Sequence, residues 1–485
     1  MMTYLQTNTP QFFSDICEEM RLFIDTRKIE KAETVPGEGF ALVHSQHETA
    51  GRMESRAALY RDGERADEYT YTCAAEKGAL ASKRAAKRAA KISAYRALSG
   101  CFNKQMPWGS LTGIRPTKLL RDSISRHGGD GAEKLFINEF DVSRGKYDFA
   151  KAIVDVQRPL LPAGGKDIDV YIGIPFCVTR CAYCSFASNT PDVFAGAEDM
   201  YVDALMRELE TAEEVLAGRN VRAVYVGGGT PTAIGEKNLE RILARAAGIG
   251  RGAKEFTVEA GRPDTITPEK LQVIRDAGAR RISVNTQTMR DDTLQRIGRC
   301  HTASAFLDAF ALANGMGFDA INVDVIAGLP GESIDDVRHT LSQIIGLGPQ
   351  NVTVHTLAVK RASAFAKDNM GAFPTNSETA GMADTAREML ETNGYRAYYM
   401  YRQKYMKGSV ENAGYALPGS ECLYNIDNME EACNVAAFGA GAISKAVYPG
   451  ENRIERAANV KDLRDYISRL DEMRLRKQGL FSTAE

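Results

Sequence analysis

The chain has 485 residues, 44% of them hydrophobic and 26% charged; that is too long for one compact core and too ordinary a composition for a disordered or collagen-like protein. With 61 Lys plus Arg against 63 Asp plus Glu, the net charge of −2 provides no global attraction to nucleic acid or to an acidic membrane. The opening MMTYLQTNTPQFF has neither a basic n-region nor a long apolar h-region, and no apolar run reaches the roughly 18 residues of a membrane span. A cytoplasmic protein with no membrane and no nucleic-acid partner is expected, and nine cysteines, an odd number over a long chain, point to reduced thiols.

In chain order, GFALVHS (39–45) and EYTYTC (68–73) read as strands and 75–99 as an Ala-rich helix, so 1–160 is expected to be a small α+β accessory domain. That helix carries Lys83, Lys87 and Lys91 at i, i+4 spacing beside Arg84 and Arg88. A solvated face with alanines packed inward outweighs a docking stripe for RNA or an acidic redox protein. LPAGGKDI (161–168) reads as a linker.

From 168 onward strands are predicted at 169–174, 221–227, 255–260, 281–286, 320–326 and 351–357. Helices are predicted near 198–217, 236–247, 268–277, 302–314, 333–346 and 377–393. This alternation predicts an α/β fold with a parallel sheet, read as a partial (β/α)6 barrel over 168–400. Past 400 the alternation fades, and 401–485 is expected to be an appended C-terminal region with a glycine-rich FGAGAIS (438–444) and a helix around 459–477.

After the first barrel strand comes IPFCVTRCAYCSF, with Cys177, Cys181 and Cys184 in a C-x3-C-x2-C spacing. The loop follows the C-terminal end of a strand, where barrels place active sites. Three close thiolates can wrap an iron-sulfur cluster; Phe186 stands where a fourth ligand would continue the run, so one iron is left open. The alternatives are a zinc site completed by a remote ligand and cysteines that only pack.

Other polar groups follow later strands: GGGTP at 227–231, Glu259, Gln287, Arg299 and Asp324. Taken singly each reads as a rim residue. Together they form a ring round one barrel mouth, in which glycines expose backbone N–H groups and Arg299 offers a fork for a carboxylate.

These motifs resemble the radical S-adenosylmethionine (SAM) superfamily, whose C-x3-C-x2-C loop binds a 4Fe-4S cluster. In that family the open iron chelates SAM, and an electron from the cluster splits a carbon–sulfur bond to give a 5′-deoxyadenosyl radical. Within the superfamily the chain resembles oxygen-independent coproporphyrinogen III oxidases, in the HemZ-type branch beside HemN. The likeness rests on YIGIPFC (171–177), GGGTPT (227–232), Glu259, the Gln287 to Arg299 spacing, VDVIAGLPGES (323–333) and FGAGAISK (438–445). WGSLTGIRPTKLL (108–120) and YRQKYMKGSVENAGYA (401–416) resemble the HemZ branch in particular.

The resemblance implies cluster ligation by Cys177, Cys181 and Cys184. It implies SAM contacts from Tyr171, Tyr183, Gly228, Gly229, Thr230, Glu259, Gln287, Arg299, Asp324 and Ile443, with Ala358 a further carry-over. The implied activity is a radical SAM coproporphyrinogen dehydrogenase: oxidative decarboxylation of two propionates of coproporphyrinogen III to vinyls, giving protoporphyrinogen IX, in heme biosynthesis. The implied partners are the tetrapyrrole and an electron donor such as flavodoxin or ferredoxin. Lys360, Arg361, Arg402, Lys404 and Lys407 are candidate anchors for substrate carboxylates. HemN-type enzymes carry Cys at the position of Phe186 and His at that of Gly173; Phe186 is also typical of HemW-type heme chaperones. Those chaperones carry HNxxYW where this chain has LYNIDNMEE (423–431). The alternatives are a HemW-like heme-binding protein and a radical SAM methyltransferase or ring-opening enzyme acting on heme.

Overall fold

A computed structural model describes residues 2–26, 28–162, 164–186, 188–190, 193, 196–358, 373–403, 410–451 and 453–482. The chain forms two compact units, Met1–Lys151 and Ala152–Glu485.

The first unit contains strands β1 (Thr3–Thr7), β2 (Glu30–Lys31), β3 (Phe40–Thr49), β4 (Arg52–Arg61) and β5 (Glu64–Ala74) in the order β2-β1-β3-β4-β5. Two-residue connections, Ala50–Gly51 and Asp62–Gly63, join β3, β4 and β5, with φ of 52, 73, 50 and 83°. Positive φ at both turn residues matches the twist of antiparallel strands. Helices Phe13–Phe23 and Ala79–Phe102 pack on this sheet, and Ile16, Met20, Ala90, Ala94 and Leu98 share a core with Leu5, Leu42 and Leu59. The alanines allow the long helix a close approach. Its basic stripe is partly engaged inside the unit: Lys87 lies 3.6 Å from Asp15, Lys91 3.3 Å from Glu19, and Arg88 5.2 Å from the Phe140 ring centroid. Trp108 is fully buried.

The second unit is built on one sheet: β6 (Asp167–Ile174), β7 (Asn220–Gly228), β8 (Glu255–Gly261), β9 (Arg281–Val284), β10 (Ala320–Ala327), β11 (Asn351–Thr356), β12 (Arg396–Tyr401), β13 (Asn412–Ala416), β14 (Asn434–Phe438), β15 (Ile443–Tyr448) and β16 (Arg453–Ala458). Their order is β12-β13-β11-β10-β9-β8-β7-β6-β14-β15-β16. Strands β6 to β11 are parallel, consecutive neighbours joined through helices, as a βα repeat requires. The sheet ends at β12 and β16 and does not close, so this is the expected open barrel. β9 stops two residues short of the expected strand because the chain turns there, with the Asn285 N–H donating to Gly261 O at 2.7 Å.

The segment past 400 is woven into the same sheet. β14 pairs in parallel with β6, and β13 pairs antiparallel with β11. Helix Leu423–Glu430 lies against the interior face of the sheet. Its first N–H groups, those of Leu423 and Tyr424, donate to the buried Glu255 carboxylate at 2.8 and 3.1 Å, which satisfies otherwise orphaned donors and complements the helix dipole. Asp427 of that helix is paired with Arg222 of β7.

Alternate residues separate the two faces of the sheet. Ile168, Val170, Ile172 and Ile174 of β6 are fully buried, whereas Tyr171 between them stacks with Tyr225 of β7 and Tyr424 at centroid distances of 6.4 and 6.2 Å. The same period continues with Glu259, Asp324 and His355, so side chains able to bind a polar ligand gather near the C-terminal strand ends. Among the described residues, no helix is long and apolar enough to cross a membrane.

Candidate functional site

The cysteine loop leaves β6 at Ile174 and is held from several sides. Phe176 packs edge-on against Tyr201 at 5.5 Å. The Cys177 N–H donates to Asn189 O (3.0 Å), the Ala182 N–H to Ile297 O (2.9 Å) and the Cys184 N–H to Cys181 O (3.0 Å). All three thiols are free, Cys181 buried and the other two half-buried. Burial pushes the Cys177 and Cys184 thiols up, with the Thr230 hydroxyl partly opposing this at Cys177. Coordination to a metal deprotonates such thiols outright, so loading the site releases protons.

The donor set fits a cluster better than a single ion. Among the described residues the one group of three or more Cys, His, Asp or Glu with ligand atoms all within 4.8 Å of one another is Asp169, Asp427 and Cys433, not the loop cysteines. Tetrahedral zinc at about 2.3 Å from each sulfur would need the thiolates closer than that, whereas a cluster takes them on separate irons.

The glycine turn after β7 closes over this loop. The Gly229 N–H donates to Ile174 O (2.8 Å) and the Thr230 N–H to Phe176 O (2.7 Å), while Thr230 Oγ1 lies 3.6 Å from Cys177 Sγ. Gly228 has φ 114°, a conformation favouring glycine. A Cβ at Gly229 would collide with Phe176 O and lie 3.0 Å from Cys177 Sγ. Gly229→Ala is therefore expected to displace the Cys177 segment at a cost of about 1–3 kcal/mol. It should lower iron incorporation with little change in far-UV circular dichroism; wild-type iron content in the variant would contradict that close fit.

Glu259 bridges the turn to the barrel interior, accepting from Tyr225 Oη and, at 3.3 Å, from the Gly228 N–H. Burial raises its pKa to about 7, the Tyr225 bond opposing and the Asp324 charge reinforcing that shift. Asp324 differs: burial pushes its carboxyl up, but His355, 3.7 Å away, and the Asn322 amide, at 2.8 Å, outweigh this and bring the pKa below the ordinary value.

A carboxyl with a folded pKa near 7 and an unfolded value of about 4.3 holds an extra proton in the folded state between those values. Its contribution to stability is therefore full below the unfolded pKa and is lost as pH rises through the folded one. Replacing Glu259 by Gln should abolish this loss, so the variant gains about 3 kcal/mol relative to wild type between pH 4.5 and 8. Urea unfolding of the metal-free protein across that range checks it, and parallel stability curves would refute it.

Gln287 has φ 75°, unusual for a side chain of its size, yet its backbone stays in register with β10: its N–H donates to Asp324 O (2.9 Å), and its carbonyl accepts from the Ile326 N–H (3.0 Å). Arg299 donates through Nη1 to Asn285 O (2.7 Å) and through Nη2 to Tyr183 Oη (2.9 Å). The expected fork is thus already engaged, and Nε is the buried donor without a hydrogen-bond partner. Ile443 is 43% exposed at the start of β15. Ala358 is buried immediately beyond β11. Arg402 is also buried, with Nε 3.4 Å from Val410 O, while Lys360, Arg361, Lys404 and Lys407 lie outside the described residues.

Several groups at the site carry no motif of their own. His355 of β11 lies between Asp324 and Tyr401, its Nδ1 3.3 Å from Tyr401 Oη. Tyr225 and Tyr424 stack at 4.4 Å, and Arg262 contacts the cysteine loop through Thr179 at 2.7 Å. Strand period marks Tyr225 and His355 as facing the same side as Tyr171 and Asp324. Nothing in the sequence brings Tyr424 to them. His301 is buried and burial pushes its pKa down to about 4, which makes it a neutral interior group.

The model of the radical SAM superfamily matches residues 171–344. The chain is 38% identical over 374 residues to the oxygen-independent coproporphyrinogen-III oxidase-like protein HemZ of Bacillus subtilis, covering 75% of each protein. It is 28% identical to the heme chaperone HemW of the same organism, over 62% of this chain and 76% of HemW. Among solved structures, the coproporphyrinogen III oxidase HemN from Escherichia coli superposes with a TM-score of 0.53 at 21% identity, over 66% of this chain and 73% of HemN, a likeness of fold.

Proposed function

Because the chain belongs to the HemZ family of oxygen-independent coproporphyrinogen-III oxidase-like proteins within the radical SAM superfamily, we propose that it decarboxylates propionate side chains of coproporphyrinogen III to vinyl groups. The family's cofactors are a 4Fe-4S cluster and SAM. When bound, they supply a carbon-centred oxidant able to take hydrogen from an unactivated C–H bond. The observation that carries the reading is the packing of the cysteine loop against the glycine turn at the mouth of an open barrel.

In this reading Cys177, Cys181 and Cys184 hold three irons. Gly228, Gly229 and Thr230 bring backbone groups to the amino-acid part of SAM, and Glu259, Gln287, Arg299 and Asp324 line the rest with Tyr171, Tyr183 and Ile443. The interior tyrosines and buried carboxylates exclude bulk water from one side of the mouth. The substrate propionate loses a hydrogen from its β-carbon. Its carboxylate then departs as carbon dioxide while one electron passes to an acceptor, which leaves the vinyl group. An electron-donor protein of the flavodoxin or ferredoxin class is the proposed reductant.

Anaerobic incubation of the reconstituted protein with SAM, a reductant and coproporphyrinogen III tests this. Protoporphyrinogen and 5′-deoxyadenosine are expected, and the appearance of neither would refute the proposal. A second reading, heme binding without turnover, is favoured by the likeness to HemW and by Phe186, 69% exposed just beyond Cys184. Stable heme binding with no product would select it.

A further inference from the structure

Beyond the three cysteines, one cationic side chain is built into the back of their loop. β8 ends at Gly261, and the next residue, Arg262, is only 2% exposed. Its guanidinium is held by Asp264 through both edges of a fork, Nε to Oδ1 at 2.9 Å and Nη2 to Oδ2 at 2.7 Å. That leaves Nη1 pointing at the cysteine loop, where it donates to Thr179 Oγ1 (2.7 Å), to Thr179 O (3.3 Å) and to Cys181 Sγ (3.8 Å). Thr179 lies between the first two cysteines, and its own hydroxyl donates to Gly298 O at 3.2 Å. Asp264, Arg262, Thr179 and Gly298 thus form a chain of polar contacts that fixes the segment carrying Cys181.

The chemistry of this contact is directional. An N–H donated to a metal-bound thiolate withdraws electron density from it and stabilises the more negative, reduced state of the cluster. Asp264 neutralises most of the guanidinium's net charge, so the effect acts through the Nη1–H dipole aimed at Cys181 more than through a free positive charge. Arginine suits the position because its planar fork makes both sets of bonds at once, which a lysine ammonium cannot.

We propose that Arg262 is a positioning residue for the cluster: it clamps the loop at Thr179 and, by hydrogen-bonding the Cys181 sulfur, makes the cluster easier to reduce. This rests on the reading of Cys177, Cys181 and Cys184 as the iron ligands.

The test is a redox titration of reconstituted full-length protein followed by the electron paramagnetic resonance signal of the reduced cluster, with iron and sulfide analysis alongside and no turnover required. For Arg262→Met we expect a full complement of iron and an about tenfold lower ratio of reduced to oxidised cluster at the wild-type midpoint, equivalent to about 59 mV for a one-electron couple. Arg262→Lys should fall between Met and wild type. If the Met variant does not load iron, the Lys variant is read in its place. An iron-loaded variant whose reduced fraction is unchanged or higher than wild type overturns the proposal. Failure of the underlying ligand reading is seen separately, as four irons retained in Cys181→Ala.

Discussion

Replacing Cys181 by alanine is expected to leave a folded chain that holds no four-iron cluster. Cys181 is the most enclosed of the three thiols, and the residue after it is tied by its N–H to Ile297 O at 2.9 Å, which fixes the backbone at this position. On the reading of Cys177, Cys181 and Cys184 as the iron ligands, only two thiolates would remain, too few to hold a cuboidal centre. The loss should exceed the roughly 10–100-fold fall in metal affinity that follows removal of an outer partner. The folding core of the unit is distant in kind: it consists of the aliphatic residues of the strands and their covering helices, among them Ile172, Val226, Leu239 and Leu243. Near-wild-type circular dichroism with cluster absorbance abolished is the expected result. Retention of four irons per chain would refute the ligand assignment.

The second large effect is on stability, at Glu208. This fully buried carboxylate, on helix Ala197–Leu209, accepts hydrogen bonds from the Gly439 N–H (2.7 Å), Asn459 Nδ2 (2.8 Å), Tyr466 Oη (2.6 Å) and Lys477 Nζ (2.7 Å). It thereby joins the end of β14, the residue after β16 and helix Leu470–Ser482 to the barrel. Lys477 is itself buried, its ammonium 3.7 Å from the centre of the Phe438 ring. Glu208→Ala strands that ammonium and should destabilise the protein by about 3–5 kcal/mol, whereas replacing both partners by apolar residues should cost much less, because the penalty belongs to the unpaired charge. The network also holds Gly439 against Gly173, where an added Cβ would lie 2.5 Å from the Gly173 carbonyl, so the single variant should loosen the strand that leads into the cysteine loop. Urea unfolding of the two variants measures this. Equal destabilisation by the single and the double replacement would contradict it.

The barrel was legible because its strands are nearly continuous apolar runs, set apart by amphipathic helices. The predicted strand at 221–227 is found at Asn220–Gly228, and that at 351–357 at Asn351–Thr356. What sequence reading missed are elements whose own residues carry little or no period. β4, RMESRAALYR, alternates only weakly, though the Asp62–Gly63 turn that follows it is a hairpin signal. β13 and β14 are five-residue strands rich in alanine, buried at every position by neighbours on both faces, so they show no period at all. The helix from Leu423 had no visible role, because its meaning lies in Glu255, 168 residues away at its capped N–H.

The site divided along the same line. The cysteines and the glycine turn announce themselves by spacing, since local backbone geometry demands them. Arg262 and His355 do not: each acts through a contact made in three dimensions, Arg262 with Thr179 and Cys181, and His355 with Asp324 and Tyr401. Arg299 was legible as a residue, but its bonds to Asn285 O and Tyr183 Oη were not.

On the proposed reading the three-cysteine loop presents an iron open to SAM. The most direct test of that reading is the electron paramagnetic resonance spectrum of anaerobically purified, reduced protein recorded with and without SAM. A reduced four-iron signal whose line shape changes when SAM is added is expected. A zinc-only protein, or an iron signal that SAM leaves unaltered, would contradict it.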